Sequence, residues 1–585
     1  MCSSAFLLNT GLSEAAETIT LTAPKEPARA DDSFVRLFPG LPPFAPLTDE
    51  MREKARQLGE KGGILDAQDQ LTDPVDSILN PGLTNPDNPT MTAGVTFLGQ
   101  FIDHDLTLDP RSSLLQPANP RNTKNFRTAA FDLDSLYGNG PQGSAQLYDQ
   151  SSGDIKFKVE PIPGSEAVSR KGAVRFDLPR DANNNAIIGD SRNDENVIIS
   201  QLHLAMLRFH NAVVDHLRTK PGISDLSADQ VFKMAQRLVR WHYQWIVIHE
   251  FLPLTIGQER VDEILTRGPK FYNPHDRRLQ NAQGNPMIPI EFSVAAYRFG
   301  HSQVRPSYRL NFGPETGTPF FGFAFLDSFD PNDADPGDFR GGKRAPRRFV
   351  DWQTFFNFGD GLFRPNKRID AKLSSVLMEL LGMRGAAPGM PSDGVQSLAS
   401  RNLMRHVNFG LPSGQAVARV MGVPVLTQAQ LAELQPFGMD RSTPLWFYIL
   451  KEAQLMESGL RLGPVGGRIV GEVFIGLLRA DRESYLVAEA NWKPVLPSAE
   501  ICRRSPPTVT DPVSPYLNSG AGGTMGFPIV AALASFLQIL KICPRSNIGS
   551  RGVNGISIMP ESLSALRRTG SAGQKCLVPF LQFAD

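Results

Sequence analysis

The chain has little cysteine. Its 585 residues hold four, Cys2, Cys502, Cys543 and Cys576, and none lies beside a histidine cluster. That argues against a disulfide framework and against a cysteine-ligated zinc. Net charge is also missing, because 60 basic residues balance 60 acidic ones. Without a basic excess, neither nucleic acid nor an anionic membrane is expected as the main partner. The opening stretch MCSSAFLLNTGLSEAAETITL has no basic n-region and no sustained apolar run. The expectation is therefore no standard signal peptide, with action in the cytoplasm or export by a leaderless route. Long hydrophobic runs are absent too. The most apolar, Gly526 to Leu540, contains Pro528 and is shorter than the ~20 residues of a membrane helix. It reads as a buried helix. Tryptophan is scarce (5) beside phenylalanine (36), a balance that suggests apolar cavities.

What remains is an ordinary globular composition, 41% hydrophobic and 21% charged. Residues 1–90 are rich in Pro, Asp and Asn and read as an extended arm with short helical turns. Helical patterns are expected over 91–110, through GDSRNDENVIISQLHLAMLRFHNAVVDHLR (189–218), over 231–252 and over 294–304. They return at 369–384, 398–407, 414–421, 427–434, 444–460 and 465–492, while 305–350 reads as irregular. The class is mainly α, with few alternating strand patterns and no internal repeat.

Five stretches carry polar groups that chemistry can use. In GQFIDHDLTLDP, Gln100 and His104 are four apart and share a helix face, with Asp103 and Asp105 flanking it. In SRNDENV, Arg192 and Glu195 are three apart, a spacing that alone suits a solvated pair. In YRFGHSQVRP, Arg298 precedes His301 by three, and Gly300 removes a side chain where something large could approach. A neutral imidazole there can ligate a metal. SRNLMRHVNFGLP offers Asn402, whose amide can accept the Nδ1–H of a ligating imidazole, and Arg405, whose guanidinium can hold a carboxylate. TAAFDLDSLYG supplies Thr128, Asp132 and Asp134 in alternation, hard oxygen donors suited to Ca²⁺.

The order of these motifs resembles the animal-type haem peroxidase family (the peroxidase–cyclooxygenase superfamily), over roughly residues 35–500. GQFIDHD and YRFGH are its specific marks, supported by HYQWIVIHEFLP and NFGLPSG. The resemblance implies a single large helical haem-peroxidase domain with a long irregular N-terminal arm. The divisions are a 1–34 extension, a 35–504 peroxidase domain and a 505–585 C-terminal segment of uncertain structure. It implies haem b or ester-linked haem, a calcium ion, H2O2 as oxidant, and a halide, thiocyanate or phenol as donor. His104 would be the distal base, Arg192 would stabilise charge on the leaving oxygen, and Gln100 would hold pocket water or a halide. His301 would be the proximal iron ligand, Asn402 its hydrogen-bond partner, and Arg298 and Arg405 neighbours of the haem propionates. Asp103 and Glu195 fall where haem esters can form. Thr128, Ala130 through its carbonyl, Asp132, Asp134 and Asp105 match a calcium site. The shortage of cysteine and the absent leader look like a bacterial branch and argue against a host-defence role in a granule; a response to oxidative stress is the expected setting.

Three other readings compete. A haem fatty-acid dioxygenase needs a radical tyrosine three residues before the proximal histidine, where this chain has Arg298. Tyr297 is one residue earlier, about 100° round an α-helix, and should miss the substrate channel. A catalytically inactive peroxidase-like binding module has no chemical need of His104, Arg192, His301 and Asn402 together. A non-haem metal site from His203, His210, His242 and His249 is the weakest, since their sevenfold spacing is also core spacing.

Overall fold

The computed structural model describes residues 32–220, 223, 225–325, 333, 335–380 and 394–494. The four cysteines, the 526–540 run and the 505–585 segment lie outside the described residues, as does most of the 1–34 extension.

Helices dominate, as the periodicity led one to expect. Nine helices build or flank the site: α1 (Asp49–Leu58), α2 (Ala93–Leu106), α3 (Val197–Arg218), α4 (Ala228–Ile246), α5 (Gln258–Arg267), α6 (Leu398–Asn408), α7 (Gly414–Met421), α8 (Leu445–Met456) and α9 (Pro464–Ala480). Their starts follow local chemistry. Thr48, Asn196, Ser397 and Ser413 each accept a backbone N–H of the first turn, and Ser227 and Gln230 form a capping box on α4. Helix α2 has no such side-chain cap. Its first two N–H groups instead donate to the carbonyls of Arg364 (2.8 Å) and Phe355 (3.0 Å), so tertiary contacts fix where it begins.

Strands are confined, among the described residues, to short antiparallel ribbons. Asp87–Thr92 pairs with Pro365–Lys367, and Ser307–Asn311 pairs with Phe320–Phe323 inside the stretch expected to be irregular. A helix predicted over 369–384 is not formed over its described part. Leu373 donates to Leu65 O (2.7 Å) and accepts from Ala67 N (2.8 Å) of the arm, and Ser374 and Ser375 are claimed by Asp69 and Asp66, leaving a single 3₁₀ turn at Ser375–Leu377. Residues 381–384 lie outside the described residues. The 465–492 pattern is two helices rather than one, because Asp481 ends α9 and a short turn, Tyr485–Ala488, follows.

The core is one large buried apolar cluster running from Phe34 to Leu478. Among the described residues one helix, α3, is long and apolar enough to cross a membrane, and 83% of its apolar window is buried inside the protein. It is the central helix of this core.

The segments flanking the future site depart from α geometry. Helix α4 widens into a π turn at Val247–Phe251, and a second π turn at Glu291–Ala295 breaks at Ala295 (φ −121°, ψ −75°) into a 3₁₀ helix, Ala296–Gln303. Residues three apart eclipse in a 3₁₀ helix, so Arg298 and His301 lie on one face.

Candidate active site

One cavity of about 830 Å³ lies between α2 and the 3₁₀ helix, within the size range of cofactor pockets. Gln100, Asp103, His104, Arg192, Glu195, Arg298, His301 and Arg405 all line it. Four separated stretches of sequence are thus brought to one space. Gly300 also lines it, and a Cβ there would meet nothing within 4 Å, so the wall beside His301 is open.

His104 is buried, 5% exposed, near the C-terminal end of α2. Its Nδ1 is 2.9 Å from Asn193 Oδ1. An amide oxygen can only accept, so Nδ1 carries the proton and Nε2 keeps its lone pair. Asn193 Nδ2 in turn donates to His203 Nδ1 at 3.0 Å. Burial, reinforced by the Arg192 charge, lowers the His104 pKa to about 4. The imidazole is therefore a neutral base at ordinary pH.

Arg192 is fixed from behind. Asp190 accepts from its Nε (3.1 Å) and Nη2 (2.8 Å), and Nη2 also donates to the His104 carbonyl at 3.0 Å. Arg127 Nε binds the same carboxylate at 2.7 Å. Burial alone would raise the Asp190 pKa, but the two guanidiniums hold it far below the carboxylate range.

The carboxylates at the two edges differ. Asp103 accepts from Arg298 Nη1 (3.2 Å) and Thr107 Oγ1 (3.0 Å). Burial pushes its carboxyl up, yet the charge of Arg298, helped by His104 and Arg192, keeps it below its usual range. Glu195 is accessible through the cavity but crowded by protein, and that desolvation pushes its carboxyl up to about 7. Gln100 Nε2 donates to it.

His301 Nδ1 lies 2.8 Å from the Asn402 amide, through Nδ2. A half-turn of that amide about its last torsion presents Oδ1 in the same place, and Nδ1–H then donates to it with Nε2 left unprotonated. Burial, then the Arg298 charge, lowers the His301 pKa to about 3, as a neutral ligand requires. Asn402 sits on α6, which His406 pins to α8 by accepting from Trp446 N at 3.0 Å. Arg405 pairs with Asp109 (3.1 Å) and Ser112 (2.5 Å) at the cavity wall.

The expected cation ligands come together behind α2. Carboxylate oxygens of Asp105, Asp132 and Asp134 lie within 4.8 Å of one another. Thr128 donates to Asp134 through both N–H and hydroxyl at 3.1 Å, and Ala130 lies between them in the same loop. Asp134 Oδ1 is buried without a hydrogen bond. Burial and mutual repulsion raise Asp105 well above its ordinary value and Asp134 to about 7. An orphaned buried oxygen among crowded acids fits a hard cation.

One expectation is corrected. Tyr297 was to turn away from the channel, but with the backbone kinked at Ala295 it lies in the cavity wall, its hydroxyl donating to the Gly99 carbonyl at 3.2 Å. The four histidines of the weakest alternative are each held by protein partners: His203 by Asn193 at 3.0 Å. His210 bonds Tyr137 and the Ile155 carbonyl, His242 bonds the Leu238 carbonyl, and His249 meets Tyr485.

Three residues were missed. Asn193 follows Arg192 directly, but its partner His203 is nearly two turns into the next helix. Asp190 read only as a helix-start residue. Gly341 lets a distant loop cross the turn: its N–H donates to Glu195 O at 3.0 Å, and a Cβ would fall 1.3 Å from the Asp194 carbonyl oxygen. Only the Asp190–Arg192 spacing held a local signal.

The family model for animal haem peroxidase matches residues 110–437, over half the chain. The chain belongs to the animal haem peroxidase family. The match begins after α2, so the His104 helix lies outside it. Thyroid peroxidase of Canis lupus familiaris is 26% identical over 410 residues, covering 63% of this chain and 38% of that protein. Peroxinectin A of Dictyostelium discoideum is 26% identical over 309 residues, 52% of this chain and 50% of its own length. The chain thus spans about half or less of the length of these two haem peroxidase relatives. Among solved structures, peroxidase A from Dictyostelium discoideum superposes with TM-score 0.50 at 19% identity, covering 81% of this chain and 93% of its own. Fatty acid alpha-dioxygenase from Oryza sativa also reaches 0.50, at 14% identity and coverages of 77% and 76%. At such identities these two likenesses concern the fold.

Proposed function

We propose that the chain is a haem peroxidase that reduces H2O2 and oxidises a small donor, a halide, thiocyanate or phenol. One observation carries this reading: two neutral imidazoles, His104 buried and His301 half-buried, each tied at Nδ1 to an asparagine side chain, line the same cavity. His301 would hold the haem iron through Nε2, with Arg298 and Arg405 near the propionates. When bound, haem b or an ester-linked haem supplies the redox centre at which peroxide is reduced.

The chain's own groups manage the protons and charge. His104 Nε2 takes a proton from H2O2 and returns it to the oxygen that leaves as water. Arg192, held rigid by Asp190, stabilises the negative charge that develops on that oxygen. Gln100, anchored to Glu195, positions water or a halide. Asp103 and Glu195 are the carboxylates available for ester links. Calcium held by Asp105, Asp132, Asp134, Thr128 and the Ala130 carbonyl would brace α2 one residue from His104.

A second reading, oxygenation of a fatty acid, draws on Tyr297 in the cavity wall. Its hydroxyl is committed to the Gly99 carbonyl, so peroxidase is favoured. A binding-only role leaves the His104–Asn193 and Asp190–Arg192 arrangements without purpose.

Haem titration followed by H2O2 with iodide tests the reading. His104→Ala should keep haem and lose about 10²–10⁴-fold in peroxide turnover, and His301→Ala should lose the ferric ligation spectrum. Haem-loaded protein that ignores peroxide but consumes oxygen with an unsaturated fatty acid would replace the peroxidase by the dioxygenase.

A further inference from the structure

Three of the chain's five tryptophans share one patch. Trp241, Tyr485 and Trp492 form a satellite cluster apart from the main core, with Trp245 packed against it. Trp241 and Tyr485 lie 5.5 and 5.9 Å from Trp492, and Trp245 stacks on His249 at 4.5 Å and 29°. Tyr485 is 1% exposed, whereas His249 is exposed and Trp245 half-buried. The Tyr485 hydroxyl is 3.2 Å from His249 Nε2. A phenol hydrogen-bonded to a neutral imidazole can give up an electron and its proton together, with no charged intermediate left in the protein.

This pair is connected to the cavity. Tyr485 N donates to Gln244 Oε1 at 3.1 Å, and Gln244 Nε2 donates to the Phe131 carbonyl at 2.9 Å. The Phe131 ring is 5.0 Å from Phe474, and Phe474 is 5.1 Å from Tyr297 in the cavity wall. The nearby Trp241 is a poorer resting place for an electron hole, because the Arg237 guanidinium lies 5.5 Å from its ring centre and opposes positive charge there.

We propose that Tyr485, with His249 as its proton acceptor, is a second oxidation site for phenolic donors too bulky to enter the cavity. The proposal rests on the haem peroxidase reading, since the oxidant is H2O2 reduced in the cavity. One electron passes from Tyr485 toward the cavity while its hydroxyl proton moves to His249 Nε2, leaving a neutral tyrosyl radical. A donor phenol at the exposed His249–Trp245 face supplies an electron and loses its proton to solvent. Tyr485 recovers its proton from His249, and the donor leaves as a phenoxyl radical. Two such rounds consume one peroxide: H2O2 + 2 ArOH → 2 H2O + 2 ArO•.

The test uses haem-loaded protein, tyramine coupled to dextran as the bulky phenol, and iodide as the small donor. Tyr485→Phe keeps the ring and its packing. It should lower the rate on tyramine–dextran about tenfold, leave iodide oxidation within about twofold, and remove a tyrosyl radical seen by electron paramagnetic resonance in samples frozen after stoichiometric H2O2. Ring-deuterated tyrosine should narrow that signal in the unchanged protein, and His249→Leu should weaken it. An unchanged radical and unchanged rates in Tyr485→Phe would overturn the proposal, as would an equal loss on both donors. Failure of the unchanged protein to oxidise iodide, thiocyanate or a small phenol with H2O2 would instead overturn the peroxidase reading, and this proposal with it.

Discussion

Asn193 makes one side chain serve two histidines. Its oxygen fixes which nitrogen of His104 is protonated, and its amide nitrogen is held by His203 in turn. Asn193→Ala should let the His104 ring turn and change tautomer, lowering kcat/KM for H2O2 by about 10–100-fold with haem still bound. Asn193→Asp keeps an acceptor for Nδ1–H and should recover most of the loss. Stopped-flow rates for the two variants decide it, and equal rates in both would show that Asn193 only fills space. His104 and Arg192 were legible because their neighbours are local: Gln100 shares a helix face with one, and Glu195 follows the other. Asn193 was not legible, because the contact that gives it meaning crosses from the turn before α3 to α2. His203 was visible only as a histidine at core spacing, and the structure makes it the outer end of the same chain of hydrogen bonds.

The loop of Asp132 and Asp134 and helix α2 act as one element. Asp105 accepts from Leu133 N (3.2 Å) and Ser135 Oγ (3.1 Å), so the loop is tied to the residue after His104. Without a cation, the folded state raises Asp105 well above 3.8 and Asp134 to about 7. A raised folded pKa means that stability is fully present below the unfolded pKa near 3.8 and is lost as pH rises through about 7. Chelated protein should therefore melt at a lower temperature at pH 8 than at pH 5, and added Ca²⁺ should raise the midpoint more at pH 8 than at pH 5. Calorimetry with and without chelator at the two pH values measures this, and a calcium effect that is absent or independent of pH would remove the assignment. The loop's acids were readable from alternation alone. The proximal segment was readable as helical but not as a π turn broken into 3₁₀, because that winding is imposed by packing and not by propensity. The 369–384 pattern misled for a similar reason: Asp66 and Asp69 of the arm take the serines and backbone that a helix would have used.

Across the described residues, the arm ahead of α1 is what closes the His301 side of the cavity. Val35 exchanges backbone bonds with Ile288 (3.1 Å) and Ile290 (2.7 Å), and Phe44 N donates to Leu411 O at 2.7 Å. Those contacts grip the start of the His301 segment and the end of the Asn402 helix together. Phe34, Leu37, Phe38 and Phe44 are buried in the process. The arm's Pro-rich composition announced an extended course but not its destination, since the groups that receive Val35, Leu37, Phe38 and Phe44 lie more than 250 residues away. Glu291 is the fastening: fully buried, it accepts Leu37 N at 2.8 Å and Phe38 N at 3.1 Å. Glu291→Ala would leave two buried N–H groups without partners, at a cost of about 2–6 kcal/mol. The expected result is a lower melting midpoint, faster proteolytic cutting between residues 38 and 48, and haem that dissociates faster because His301 and Asn402 are no longer held in register. Glu291→Gln keeps an acceptor oxygen and should fall between the two. If Glu291→Ala released the arm to protease while haem dissociation stayed unchanged, the arm would be a cover for the core and not a brace for the proximal histidine.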